Sequence, residues 1–249
     1  MLEHFLSSGS KALDALCNGI EKDVITTIYG PAGSGKTNFC ILASVDFVKN
    51  GKTVVYIDTD GSFSVERLRQ VAQSRSSTAK DILEHMVFYK PVNFGEQKVV
   101  FDKLKSVVSE NVGLIVVDSI AMLYRLEMGK NSEDVYSINK ELGKQLSFLS
   151  EIARKKHIPI LITNQVYSSF EEKDKVNMVG GDILRYSSKC LIELKSYKSL
   201  RKAILIRHRS FPMNKEILFK ITEAGTEVVV QPENSENKNS GSEVETETM

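Results

Sequence analysis

The stretch Gly30-Pro31-Ala32-Gly33-Ser34-Gly35-Lys36-Thr37 fits the eight-residue phosphate-binding loop at every position. Its glycines remove side chains where backbone N–H groups must curl around an anion, and a helix starting at its end adds a favourable dipole. Lys36 is then placed to reach the β- and γ-phosphates of a nucleoside triphosphate, with the Thr37 hydroxyl on Mg²⁺ and Asn38 completing the nucleotide-contacting set. Asp118 closes the apolar run Leu114-Ile115-Val116-Val117, 82 positions after Lys36, where a second Mg²⁺-directed carboxylate is expected. Asp58 and Asp60 end another apolar run, and a carboxylate there could orient the water that attacks the γ-phosphate; the alternative is a pair of solvated strand-end acids before the Gly61 turn. Gln165, in Thr163-Asn164-Gln165-Val166, could touch the same phosphate.

These residues need rigid supports, and the hydrophobic pattern supplies them. Val24 to Tyr29 reads as a buried strand leading into the loop, and Asn38 to Lys49 as the helix leaving it. Further strands are expected over Thr53–Asp58, Met86–Tyr89, Gly113–Asp118 and Ile160–Thr163. Helices are expected over Ser10–Cys17, Val65–Ala72, Gln97–Val108 and Ser132–Lys156. Strands alternating with helices imply an α/β fold with a mostly parallel central sheet covered on both faces. The last third changes character. Lys189–Tyr197, Ala203–Arg207, Lys215–Thr222 and Thr226–Val230 follow one another without helical patterns, which predicts a C-terminal antiparallel hairpin extension.

Composition sets limits. At 249 residues, with 41% hydrophobic and 26% charged content, the chain suits one large α/β domain. No apolar run approaches the roughly 18 residues of a membrane span, and Met1–Ser10 has neither the basic nor the apolar region of a signal peptide, so a cytoplasmic protein is expected. Cys17, Cys40 and Cys190 are widely separated and read as core thiols, and His4, His85, His157 and His208 lack metal-ligand spacing. Residues 232–249 hold five Glu and one Lys among Ser, Asn and Thr, the composition of a disordered acidic tail, so the folded domain is expected to span 1–231. Removing the tail's excess of four negative charges from a whole-chain net charge of +1 leaves +5 on that domain.

Part of this positive charge is concentrated. Between Arg185 and Arg209 stand Arg185, Lys189, Lys195, Lys198, Arg201, Lys202, Arg207 and Arg209 against the single acid Glu193, with Tyr186 and Tyr197 interleaved. A stripe of this kind on adjacent strands would neutralise DNA phosphates, with tyrosines available to stack on bases; otherwise it is a solvated hairpin face.

The motifs taken together resemble the RecA/RadA recombinase family, most closely its short archaeal branch, over roughly residues 6–230. Beside the loop, the resemblance rests on Ser8-Gly9-Ser10-Lys11-Ala12-Leu13-Asp14 with Gly19, and on Tyr56-Ile57-Asp58-Thr59-Asp60-Gly61 with Phe63. It extends through Val65-Glu66-Arg67, Val117-Asp118-Ser119, Thr163-Asn164-Gln165-Val166, Gly180-Gly181 and Ile221-Thr222. It implies a RecA-like ATPase core that binds ATP and Mg²⁺ and takes part in DNA recombination and repair. Arg67 and Gln70 would cover the adenine, Asp118 would act through the metal's water shell, and Asp60 would stand where the family usually has a hydrolytic Glu, one methylene longer. Gln165 would couple the γ-phosphate to a DNA-contacting loop over Tyr167–Val179, and a second DNA-facing loop would run over Tyr124–Asn131 with Arg125 and Lys130. Arg207-His208-Arg209 occupies the segment that caps a neighbour's nucleotide, where archaeal recombinases tend to have an acid. The family's N-terminal helical domain and docking linker find no counterpart in this sequence, so autonomous filament formation is not expected; with the shorter Asp60 in place of Glu, the resemblance implies a slow ATPase accessory to a full-length RadA-type recombinase. A nucleotide-gated adaptor or a regulatory, KaiC-like ATPase without DNA strand exchange is the alternative.

Overall fold

The computed structural model describes residues 4–130, 134–168 and 176–229. A short ribbon pairs β1 (Phe5–Leu6) antiparallel with β2 (Ile20–Glu21) around α1 (Lys11–Cys17). Ser10 caps α1, its hydroxyl accepting the Leu13 N–H at 3.3 Å. The phosphate-loop unit follows as β3 (Ile25–Gly30) and α2 (Lys36–Lys49). Then come β4 (Thr53–Asp58), α3 (Val65–Ser74), α4 (Ala79–Glu84), β5 (Met86–Tyr89), α5 (Phe94–Val107) and β6 (Val112–Asp118). The chain continues through α6 (Met122–Lys130), α7 (Val135–Lys156), β7 (Ile160–Ser168), β8 (Val176–Met178) and α8 (Gly181–Ser187). It ends in four strands, β9 (Cys190–Tyr197), β10 (Leu200–Arg207), β11 (Lys215–Thr222) and β12 (Gly225–Val229).

One sheet runs in the order β12-β11-β10-β9-β3-β7-β6-β4-β5, and β8 pairs off the end of β7. From β9 to β5 neighbours are parallel; from β12 to β9 they are antiparallel. The expected architecture is the observed one. Side-chain alternation explains why β6 is apolar throughout: Leu114 and Val116 enter a core with α1 to α4, whereas Ile115 and Val117 enter a second core with α5 to α8. Each such side chain, withdrawn from water, contributes about 1.5–3 kcal/mol. With both faces buried, β6 holds Asp118 rigidly at the carboxyl edge.

Three helices depart from the sequence reading. The segment expected as a DNA-facing loop over Tyr124–Asn131 is the helix α6 through Lys130, pinned by buried Leu123 and Tyr124, with Asn131 outside the described residues. Both α4 and α8 also lie where no helix was expected; each is short, 6 and 7 residues, too brief for a clear apolar period. The proposed acidic tail and most of the Tyr167–Val179 loop fall outside the described residues.

Candidate nucleotide site and basic surface

The loop between β3 and α2 has the form its sequence requires. Gly30 passes so close to β9 that a Cβ there would meet Leu194 O at 2.5 Å, and Gly35 adopts φ 104°, a left-handed conformation that favours glycine. Lys36 is buried, and its Nζ donates to the carbonyls of Gly30 at 2.9 Å and Pro31 at 2.8 Å. Burial pushes its pKa down, opposed by the carboxylates of Asp118 and Asp60. Pro31, Ala32 and Gly33 are exposed, whereas Ser34 and Asn38 are buried with Ser34 Oγ and Asn38 Nδ2 lacking protein partners. Buried polar groups without partners cost free energy, so these two suit a polar ligand at the loop.

The acids converge on it. Asp58 and Asp118 are register partners at the ends of β4 and β6, next to one another in the sheet. Asp118 accepts from Tyr56 OH at 3.0 Å, from Ser62 Oγ at 3.2 Å and from Thr163 Oγ1. Ser62 Oγ lies 2.9 Å from Thr37 Oγ1, within hydrogen-bond distance, and either hydroxyl can donate. A loop hydroxyl and a buried carboxylate, the two expected Mg²⁺-directed groups, are therefore joined through one serine. Burial raises the Asp118 pKa, which the hydroxyl hydrogen bonds partly offset. A loop hydroxyl and a buried carboxylate are a donor set that would suit a hard divalent cation, with Thr37 holding it and Asp118 acting through its water shell.

Asp58 and Asp60 separate into two roles. Asp58 is buried, and its oxygens accept the N–H groups of Ser62 at 3.1 Å and Phe63 at 3.4 Å, which makes it the brace of the turn. Phe63 locks that turn by packing on Tyr56 and Phe88, with ring centroids 4.9 and 4.7 Å apart. Asp60 is exposed at the turn's outer side, with Oδ1 accepting from Ser62 N at 3.1 Å. Sequence reasoning missed Thr59: its hydroxyl donates to Ser119 O at 2.6 Å and accepts from Ser119 N at 2.9 Å, clamping β4 to the residue after Asp118.

The other expected nucleotide residues flank the loop. Arg67 Nε donates to Asn38 Oδ1 at 2.8 Å, and its Nη1 donates to Gln70 Oε1 at 3.1 Å and to Glu223 O at 3.0 Å. Arg67 and Gln70 thus sit beside the start of α2, tied to the β11–β12 turn. Gln165 is the register partner of Gly30, and its carbonyl accepts Val179 N–H at 3.2 Å. Asn164 Nδ2 donates to Val179 O at 2.7 Å, so two adjacent residues bind the far end of the expected loop.

The basic stripe is not continuous, which corrects the sequence reading; strand alternation and local ion pairs divide it. Lys195 and Lys202 are register partners on one face, and the ammonium groups of Lys202 and Lys198 lie 5.0 and 5.8 Å from the Tyr197 ring centroid. Lys202 also pairs with Glu216 at 2.8 Å, and Lys195 with Glu193 at 3.2 Å. Arg201 goes to the opposite face, where Nη2 is 3.4 Å from Gly33 O. Arg209 is held by buried Glu21, Nε to Oε1 at 2.6 Å, and Arg207 donates to Arg185 O. Arg125, Lys130 and Arg185 are exposed on α6 and α8.

Comparison with known proteins gives a consistent picture. The Rad51 family profile matches residues 4–229. The chain is similar to the DNA repair and recombination protein RadB of Methanococcus maripaludis, 43% identical over 218 residues, covering 87% of this chain and 98% of that one. It is also similar to the RadB proteins of Methanocaldococcus jannaschii, 39% identical with the same coverage, and of Pyrococcus abyssi, 37% identical over 93% of this chain and 98% of that one. A solved structure, the RadB recombinase, superimposes with a TM-score of 0.77 at 38% identity, covering 91% of this chain and all of that one.

Proposed function

From the premise that this chain belongs to the Rad51 family, we propose that it binds ATP at the Gly30–Thr37 loop and acts on DNA in recombination and repair. The observation that carries the nucleotide reading is the hydrogen-bonded path from Thr37 through Ser62 to Asp118, directly beside Lys36. Within the assignment, Lys36 exchanges the Gly30 and Pro31 carbonyls for the β- and γ-phosphates, a trade of neutral acceptors for charged ones. Thr37 would hold Mg²⁺ and Asp118 would act on it through its water shell, and the ion would supply neutralisation of charge developing on the phosphates. Asp60 orients the attacking water from the exposed side of the turn; with one methylene fewer than a glutamate it holds that water loosely, which makes hydrolysis slow. Arg67 and Gln70 flank the adenine. Gln165 and Asn164 pass the state of the γ-phosphate to the segment ending at Val179.

DNA is assigned to the Lys195, Lys198, Lys202 and Tyr197 face, with Arg125 and Lys130 on α6 and Arg185 on α8 as further phosphate contacts. Among the described residues no helix is long and apolar enough to cross a membrane, and we place the protein in the cytoplasm as an accessory to a RadA-type recombinase. The core is assigned to 1–231 and an acidic tail to 232–249.

The test is anisotropy of a labelled oligonucleotide with the protein alone, with Mg²⁺ and a non-hydrolysable ATP analogue, and with ADP. Nucleotide-dependent affinity supports the assignment. Nucleotide binding without DNA binding in any state would replace it with a nucleotide-gated adaptor.

A further inference from the structure

Resting on the ATP reading above, we propose that Arg201 is a nucleotide-site residue acting within its own chain: from the antiparallel extension it holds the outer wall of the phosphate loop and adds positive charge there. Neighbouring residues on a strand point to opposite faces. Lys202 turns to Tyr197 and Glu216. Arg201 turns to the loop, with Nη2 3.4 Å from Gly33 O.

The fit around Gly35 shows how closely β10 and β11 roof this segment. A Cβ at Gly35 would lie 3.8 Å from Arg201 Cδ, 3.9 Å from Arg201 Nε and 2.9 Å from Ile221 Cδ1. Glycine is favoured at Gly35 by its φ of 104°, while Arg201 lies over it at ordinary van der Waals distance and Ile221 Cδ1 is the movable end of its side chain. The guanidinium has five N–H donors, yet its one hydrogen bond among the described residues is the long one to Gly33, and no described carboxylate pairs with it. By contrast Arg209 is spent on Glu21. Arg201 is thus a half-buried cation with spare donors, held against a loop whose ligand would be a polyanion. It steadies the loop through Gly33 and favours the charged ligand over a neutral one.

The experiment compares wild type, Lys36→Ala, Arg201→Ala and Arg201→Lys by titration with a fluorescent ATP analogue in Mg²⁺, beside nucleotide-free melting temperature and DNA affinity across a salt series. With the cation over the phosphate loop removed, Arg201→Ala is expected to weaken ATP binding about tenfold. Lys restores part of the loss, the melting temperature stays near wild type, and the nucleotide-free salt slope is unchanged. Should alanine lower the melting temperature, Arg201→Gln supplies the neutral variant, with the same weakening expected. Wild-type ATP affinity in the neutral variant, with Lys36→Ala defective, would overturn the Arg201 proposal and leave the site assignment standing. Absence of ATP binding in wild type would overturn both.

Discussion

The hydroxyl of Tyr56 donates to Asp118 Oδ2 at 3.0 Å, and both residues are almost fully withdrawn from water, at 0% and 1% exposure. Burial raises the pKa of Asp118, and burial likewise raises that of neighbouring Asp58. A carboxyl whose folded pKa lies above its unfolded value favours the native state when protonated. Its contribution is full below the unfolded pKa and is lost as pH rises through the folded one.

Asp118→Asn removes that cost because the hydroxyls of Tyr56, Ser62 and Thr163 can rotate to suit an amide. The nucleotide-free variant is expected to be more stable than wild type by about 1 kcal/mol at neutral pH, with the gap opening above about pH 4, the ordinary aspartate range. It should also lose Mg²⁺-dependent ATP binding. Thermal unfolding against pH for both proteins measures this; parallel curves would contradict it.

Lengthening Asp60 is expected to accelerate hydrolysis. A misplacement of about 1 Å at a reacting centre can cost on the order of a hundredfold, and Asp60 is exposed, so Asp60→Glu can extend without displacing a buried neighbour. Steady-state phosphate release is the measurement. A tenfold or greater rise fits, and a slower variant would assign the water to another group.

Charge reversal on the Tyr197 face should change the salt dependence of DNA binding. With about −0.7 in slope per contacted phosphate on single strands, Lys198→Glu with Lys202→Glu is expected to flatten the slope by about 1.4. Equal slopes would show this face to be merely solvated and move DNA contact to Arg125, Lys130 and Arg185.

Arg209 should behave differently from those lysines. Its partner Glu21 is 4% exposed, and Glu21 Oε2 already lacks a hydrogen bond, with His208 Nε2 3.7 Å away. Arg209→Ala leaves that buried carboxylate poorer by one charged donor, and a loss of about 1–3 kcal/mol is expected in denaturant unfolding. A neutral effect on stability with weaker DNA binding would place Arg209 in the DNA surface instead.

Local signals made much of this architecture legible. Glycine spacing and Lys36 identified the loop, burial on both faces made β4 and β6 nearly continuous apolar runs ending in an aspartate, and Ser10 marked the start of α1. The sequence reading starts that strand at Ala203, whereas β10 begins at Leu200, so alternation reaches Arg201 and Lys202 only in the structure, and the register of β10 on β9 decides which of the two meets the phosphate loop. Thr59 was invisible for a related reason: its partner Ser119 is 60 residues away in sequence, at the end of the neighbouring strand. Likewise Glu21 gave no sign that it would hold Arg209, 188 residues further on.

Titration of a fluorescent ATP analogue in Mg²⁺ reads the engagement of Lys36 with the nucleotide itself. Wild type is expected to bind saturably and Lys36→Ala to lose on the order of a hundredfold in affinity while remaining folded, because the variant removes a charged donor aimed at the phosphates. Equal affinity in the two proteins, or no binding in wild type, would mean that the Gly30–Thr37 loop is not an ATP site.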